Sequence, residues 1–145
     1  MSDYNYISEI KINKCFSDSP QSKALFDLLC GDEVGSGISR RVFECNLFED
    51  CVVKIEFGEY WQNIFEFQAW KRVKEMEIKK WFAPCEFISP SGHVLIQKYT
   101  RPMRAHEVPD KVPAFFTDIK HSNMGVYKGH PCFHDYGVNL LMEHG

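Results

Sequence analysis

Lys54 sits inside the stretch "CVVKIEF", flanked by Val52, Val53 and Ile55. β-Branched neighbours favour a strand. A lysine within an apolar strand is costly unless the strand is an edge, or the lysine is paired or bound to an anion. The fold must therefore bring an acid or an anion to Lys54, or leave this strand at an edge. The next stretch, "EYWQNIFEFQAWKRVKEMEIKKW", offers Glu66 as the partner. A helical glutamate alone reads as a solvated surface residue. Opposite Lys54 it becomes half of an ion pair.

At 145 residues the chain suits one domain with a modest core. A net charge of −3 provides no broad basic field, which argues against a nucleic-acid partner. The first residues, "MSDYNYISEIKINKC", contain acids and no long apolar run, so neither a signal peptide nor a membrane span is expected. The expectation is a cytoplasmic protein with reduced thiols. Cys15, Cys30, Cys45, Cys51, Cys85 and Cys132 show no C-x-x-C spacing and read as small buried apolar residues. Twelve phenylalanines imply either an aromatic core or apolar surface that meets a partner.

"DSPQSKALFDLLCG" predicts a short helix, capped by Asp18 or Ser19, with Pro20 in its first turn and Gly31 at its end. Two strands joined near "LFED" follow, carrying Val42, Phe43, Val52, Val53 and Ile55. The long helical stretch places Phe65 or Ile64, Ala69, Val73 and Met76 at helical spacing. "CEFISPSGHVLIQKY" reads as a hairpin with a Ser-Pro-Ser-Gly turn. Three prolines between Thr100 and Pro113 forbid a long helix. A loop, a short hairpin around Lys128-Gly129 and a tail complete the chain. The class is α+β with a largely antiparallel sheet.

Phosphoryl transfer needs backbone close over the phosphates, a held lysine, oxygen ligands for Mg²⁺, and a carboxylate that orients the attacking hydroxyl. Each has a candidate, in one order. Gly35-Ser36-Gly37 is a weak phosphate-loop signal that a tight turn explains equally well. Lys54 and Glu66 follow. "TDIKHSN" then supplies Asp118, Lys120 and Asn123, and Asp135-Tyr136-Gly137 supplies a second acid. Any one of these reads as a polar turn; the ordered set is the kinase pattern.

On these motifs the chain resembles the protein kinase superfamily from about Val34 to Gly137. The resemblance implies an antiparallel N-lobe sheet with one packed helix and a strongly reduced C-lobe. It divides the chain into an extension with a short helix over 1–33, an N-lobe over 34–99 and a vestigial lobe over 100–145. It makes Gly35 and Gly37 the phosphate loop, and Val42 the residue above the adenine. Lys54 and Glu66 become the ion pair, and Gln97, Lys98 and Tyr99 the hinge. Asp118 faces the acceptor hydroxyl, Lys120 neutralises the moving phosphoryl group, and Asn123 and Asp135 hold Mg²⁺. ATP and Mg²⁺ are the implied cofactors. "QNIFEFQAW", "FAPCEFISPSGHVLIQ" and "VPAFFTDIKHSNMG" also resemble small kinase-like proteins encoded by bacteriophages, which would place the chain in a host cytoplasm.

The chain departs from the family in specific places. Arg40 stands at the third loop glycine, which stiffens the phosphate cover or brings a guanidinium to the phosphates. Phe116-Thr117 replaces the His-Arg before the catalytic Asp, and Phe116 can fill the His position by packing. Only "VNLLMEHG" follows Gly137, so the family's peptide-binding helices are expected to be missing. Phe115, Phe116, Phe133, Leu140, Leu141 and Met142 are then expected to be exposed and covered by a homodimer or partner. Failing that, the short N-terminal helix would close the hairpin. His130, Cys132 and His134 alternate, and share one face of a strand, but lack a clear fourth metal ligand. Two functions remain open. One is a Mg-ATP-dependent phosphotransferase acting on a protein or small hydroxyl substrate. The other is an inactive pseudokinase that binds and inhibits a host protein.

Overall fold

A computed structural model describes residues 20–37, 39–58, 60–137 and 139. Helix α1 (Pro20–Leu29) leads into β1 (Cys30–Ser36), β2 (Arg40–Cys45) and β3 (Cys51–Glu56). Helix α2 (Gln62–Val73) and a 3₁₀ turn (Glu77–Trp81) precede β4 (Cys85–Ile88) and β5 (Val94–Lys98). After the proline-rich linker come β6 (Met124–Tyr127) and β7 (His130–Phe133). The large sheet has the order β1-β2-β3-β5-β4, antiparallel throughout, and β6 and β7 form a separate two-stranded sheet. This is the expected α+β architecture: an antiparallel sheet with a helix packed on its site face, followed by a separate small hairpin.

Strand β3 is central, between β2 and β5. Its period-2 alternation therefore decides what each face of the sheet carries. Val53 and Ile55 turn toward α1 and join Leu29, Phe43, Val94 and Ile96 in one apolar cluster, with the Phe26 ring edge-on to Phe43. Val52, Lys54 and Glu56 turn the other way, toward α2 and the cleft. The edge-strand explanation for Lys54 thus falls, and the pairing explanation stands.

Helix α2 is shorter than the periodicity predicts, and its buried face matches the expected apolar stripe at Ala69 and Val73 only. It ends at Val73, so Met76 and Trp81 lie beyond it. Its buried stripe is Asn63, Glu66, Ala69 and Val73, whereas Phe65 and Met76 are exposed. Two polar groups win the inner face because Lys54 and Arg40 wait there. Trp61, at φ 61, contributes no capping side chain. Instead the Asn63 amide donates to Glu56 Oε1 at 2.7 Å, so a carboxylate from β3 serves the positive end of the helix.

Strand β1 was not expected, because "CGDEVGS" has little strand propensity; pairing with β2 holds it, with two register shifts. Both predicted hairpins are present. Lys128 and Gly129, at φ 50 and 80, form the tight β6–β7 turn. The linker is tied down by Arg101 and Val126, which exchange backbone hydrogen bonds of 3.1 and 2.8 Å.

The reduced lobe closes on itself. Phe116 stacks on Phe133 at 3.8 Å, and Phe82 contacts Phe115, Phe116 and Tyr136 at 5.8, 5.0 and 5.0 Å. Phe116 and Phe133 are buried and Phe115 is half-buried, which corrects the expectation that these three rings are exposed. The covering segment is the Glu77–Trp81 turn with Phe82, not α1. Leu140, Leu141 and Met142 lie outside the described residues, as do Asp18, Ser19 and Cys15. Cys30, Cys51, Cys85 and Cys132 are buried free thiols, as expected, and Cys45 is half-buried. Among the described residues no helix is long and apolar enough to cross a membrane.

Candidate active site

A cleft of about 1160 Å³ separates the large sheet from the β6–β7 hairpin. Gly35, Gly37, Val42, Lys54, Gln97, Lys98, Tyr99, Asp118, Asn123 and Asp135 all line it. Residues spread over a hundred positions thus converge as the motifs predict. Glu66 and Lys120 are not among the lining residues. Glu66 lies behind Lys54, and Lys120 is exposed, 3.7 Å from the exposed Asp118 carboxylate.

Lys54 Nζ is 3.0 Å from Glu66 Oε2, and both side chains are buried. The ammonium also donates to the carbonyl oxygen of His134, which links β3 to the Asp135 segment. The Tyr136 amide donates to Glu66 Oε1 at 3.0 Å. One carboxylate therefore organises the lysine, the helix and the Asp-Tyr-Gly turn. The Tyr136 hydroxyl finds its buried partner in the Ala83 carbonyl at 2.7 Å. Gly137 has no room for a side chain: a Cβ there would lie 2.5 Å from Gln62 Oε1 and 3.0 Å from the Gln62 carbonyl oxygen.

Arg40 is the residue that the motifs do not place. It is the first residue of β2, and its guanidinium reaches inward, almost fully buried. Nη1 donates to Asn63 Oδ1 at 3.2 Å. Nη2 donates to Glu66 Oε1 at 2.8 Å and to Asp135 Oδ1 at 2.6 Å. Asn63 completes the arrangement, its Nδ2 donating to the carbonyls of Lys54 and His93 at 3.1 Å each. The sequence signal was the arginine at a glycine position; nothing in it showed that the side chain would turn inward.

The charges shift as this geometry dictates. Burial pushes the Glu66 carboxyl up, but the Arg40 and Lys54 cations outweigh it and hold the pKa at about 2. Burial lowers Lys54, with Glu66 opposing. For Arg40 burial works against the charge, yet Glu66 and Asp135 raise its pKa further. Burial and the neighbouring Glu66 carboxylate raise Asp135, with Arg40 and Lys54 opposing. His134 is lowered to about 4, by burial first and by Lys54 second. Its ring is held between the Thr100 hydroxyl at 2.7 Å and the Ser122 carbonyl at 2.8 Å.

Arg40 takes one oxygen of Asp135, Oδ1, and the Asp135 side chain is still 44% exposed. The Asn123 amide nitrogen donates to the Asp118 carbonyl at 3.1 Å, which leaves the amide oxygen for another partner. Asn123 and Asp135 both line the cleft and could hold a divalent cation through their oxygens. His130, Cys132 and His134 do not form a centre: among the described residues no group of three or more His, Cys, Asp or Glu could hold a metal ion. Cys132 is fully buried, and burial alone pushes its thiol up to about 12. The expected hinge also differs in detail. The Lys98 and Tyr99 amides donate to the carbonyls of Pro84 and Asp50 at 2.8 and 2.6 Å, so neither is directed at a base. Gln97 Oε1 is buried and accepts no hydrogen bond.

No protein-family model and no curated protein matches the sequence. Among solved structures the chain is similar to aminoglycoside phosphotransferase APH(2″)-IIa, in a ternary complex with streptomycin and ATP. The match has a TM-score of 0.45 and 19% identity, and covers 64% of this chain and 33% of that one. The chain thus spans about a third of the length of that protein.

Proposed function

We propose that the cleft binds a nucleoside triphosphate, with ATP as the expected ligand, on a phosphotransferase scaffold of the kinase type. The observation that supports this best is the buried Lys54–Glu66 pair, at 3.0 Å, facing Asp135 across a cleft roofed by Gly35 and Gly37. A buried lysine held by one carboxylate keeps ammonium protons to offer an anion, and the glycines let backbone approach phosphates closely. Val42 and Val52 provide an apolar wall for the base.

In a transfer reaction the acceptor hydroxyl would be oriented by Asp118, which lines the cleft and is open to solvent. Lys120, beside it, would offset charge on the moving phosphoryl group. The acceptor is a protein or small-molecule hydroxyl. The test is transfer of labelled γ-phosphate to a mixed protein extract, with Asp118→Ala as the control. Transfer by the wild type that is lost in Asp118→Ala supports the enzyme.

A second reading is favoured by the Arg40–Asp135 contact: the chain binds nucleotide without transferring phosphate and acts by docking on another protein, in the phage setting a host protein. ATP binding without any transfer would favour it. A homodimer, or a partner on the reduced-lobe side, belongs to this reading as well. Light scattering tests the former.

A further inference from the structure

We infer that Cys30 and Cys45 form a modification site of their own: a dithiol that a disulfide oxidant closes into a cross-strand disulfide, fastening β1 to β2. The inference does not rest on the nucleotide reading. It rests on where the register of the large sheet puts Cys30, Cys45 and Cys51.

Cys30 opens β1 and Cys45 closes β2, and the two stand directly opposite each other in the antiparallel ladder. The Asn46 amide donates to the Leu29 carbonyl at 2.8 Å, one residue outside the pair. That bond flanks Cys30 and Cys45 and does not join them, which makes them a non-hydrogen-bonded pair. Directly opposed Cβ atoms lie about 4.5–5.5 Å apart, and non-hydrogen-bonded pairs take the short end. A disulfide needs about 3.5–4.5 Å. The ladder shifts register just beyond Cys30, between it and Glu33, so β1 can take up the small remaining movement. Both thiols belong to the apolar cluster beneath α1.

Cys51 is the competing partner. Glu44 pairs with Val52, so the next step of the β2–β3 ladder sets Cys45 opposite Cys51. The Phe57 amide donates to the Ser39 carbonyl at 2.8 Å, flanking the Arg40–Glu56 pair. Pair types alternate along a ladder, so Cys45 and Cys51 occupy a hydrogen-bonded position, whose wider spacing does not suit a disulfide. The three thiols thus form one row across three strands, with Cys45 in the middle and its closer neighbour on the β1 side.

Burial orders the chemistry. Cys45 is half-buried, whereas Cys30 is buried and its thiol is pushed up to about 12, by burial first and then by Cys45 and Asp27. Cys45 is therefore the attacking thiol. Its thiolate attacks one sulfur of the oxidant, forming a mixed disulfide and releasing one small thiolate. Cys30 then loses its proton to water, attacks the Cys45 sulfur and displaces the second small thiolate. Two protein thiols are oxidised, and the disulfide of the oxidant is reduced. The linkage anchors β1 at its start, and the far end of the same strand carries Gly35 to the cleft.

The test adds excess oxidised glutathione to the native full-length wild-type chain, alkylates the remaining thiols and maps peptides by mass spectrometry without reduction. Trypsin with a glutamate-specific protease separates Cys45 from Cys51 at Glu49. The expected result is a linked Cys30–Cys45 pair, lighter by the two thiol hydrogens, that a reductant separates. Cys45 linked to Cys51, or to any other cysteine, overturns the inference. So does a Cys45 that stops at glutathione or does not react. Cys51→Ser should leave the linkage in place, and Cys30→Ser should hold glutathione on Cys45. A Cys30→Ser chain that takes no glutathione there overturns the order of attack.

Discussion

The guanidinium of Arg40 lies 2.6 Å from the carboxylate of Asp135, joining residues 95 positions apart across the cleft. The same Nη2 reaches Glu66 at 2.8 Å, so β2, helix α2 and the Asp-Tyr-Gly turn meet at one nitrogen. Arg40 and Asp135 should therefore be energetically coupled. A double-mutant cycle of Arg40→Met and Asp135→Asn in urea should give a coupling energy of about 1–3 kcal/mol. Additive effects would mean that the contact contributes nothing to stability.

Glu66 and Lys54 should not be equivalent, although they form one ion pair. Removing Glu66 leaves Arg40 and Lys54 as two buried cations without the carboxylate that bonds both. Glu66→Ala should cost about 3–5 kcal/mol. Lys54→Met leaves Glu66 still paired with Arg40, so its cost should be clearly smaller. Denaturant midpoints of the two variants check the order.

Stability should fall in acid through His134. Its folded pKa of about 4 lies below the ordinary value of 6.5, because burial favours the neutral ring. The unfolded chain then binds a proton that the folded chain refuses. The stabilising effect is fully present above about pH 6.5 and declines as pH falls toward about 4, by on the order of 2–3 kcal/mol. Glu66, depressed from 4.5 to about 2, adds a separate loss below about pH 4.5. Chemical denaturation at stepped pH should show both phases, and His134→Gln should flatten the upper one alone.

The ring stack of the reduced lobe should behave as core. Phe116→Ala removes a buried ring packed on Phe82 and Phe133 and should cost about 3–5 kcal/mol. Phe115→Ala, at a half-buried ring, should cost less. Thermal melts of both variants decide whether this cluster or an external partner closes the hairpin. A Phe116→Ala protein that melts with the wild type would point to the partner.

Much of the site was legible because its residues carry cost or spacing. A lysine among valines demands a partner, and Glu66 lies one helix away. Asp118, Asn123 and Asp135 stand at motif intervals, and the cleft brings them together. Arg40 was legible only as an anomaly at a glycine position, read as stiffening the phosphate cover or bringing a guanidinium to the phosphates, and its contacts to Glu66 and Asp135 were not foreseen. The buried stripe of α2 was read correctly at Glu66, Ala69 and Val73 and missed at Asn63, because apolar periodicity cannot foresee an amide drawn inward by Arg40. The aromatic closure was missed because Trp81 reads as the end of a long helix. The helix in fact stops at Val73, and the following turn carries Trp81 to His130 and Phe82 to Phe116.

The most direct measurement is the melting temperature of the purified wild-type chain as ATP is raised to millimolar concentration. Ligand that binds only the folded state stabilises it by mass action, by about 2.7 kcal/mol at a hundredfold excess over Kd. A rise that grows with ATP and vanishes in Lys54→Met, a variant whose Glu66 stays paired with Arg40, is the predicted result. A wild-type melting temperature that does not move at millimolar ATP would contradict the nucleotide site.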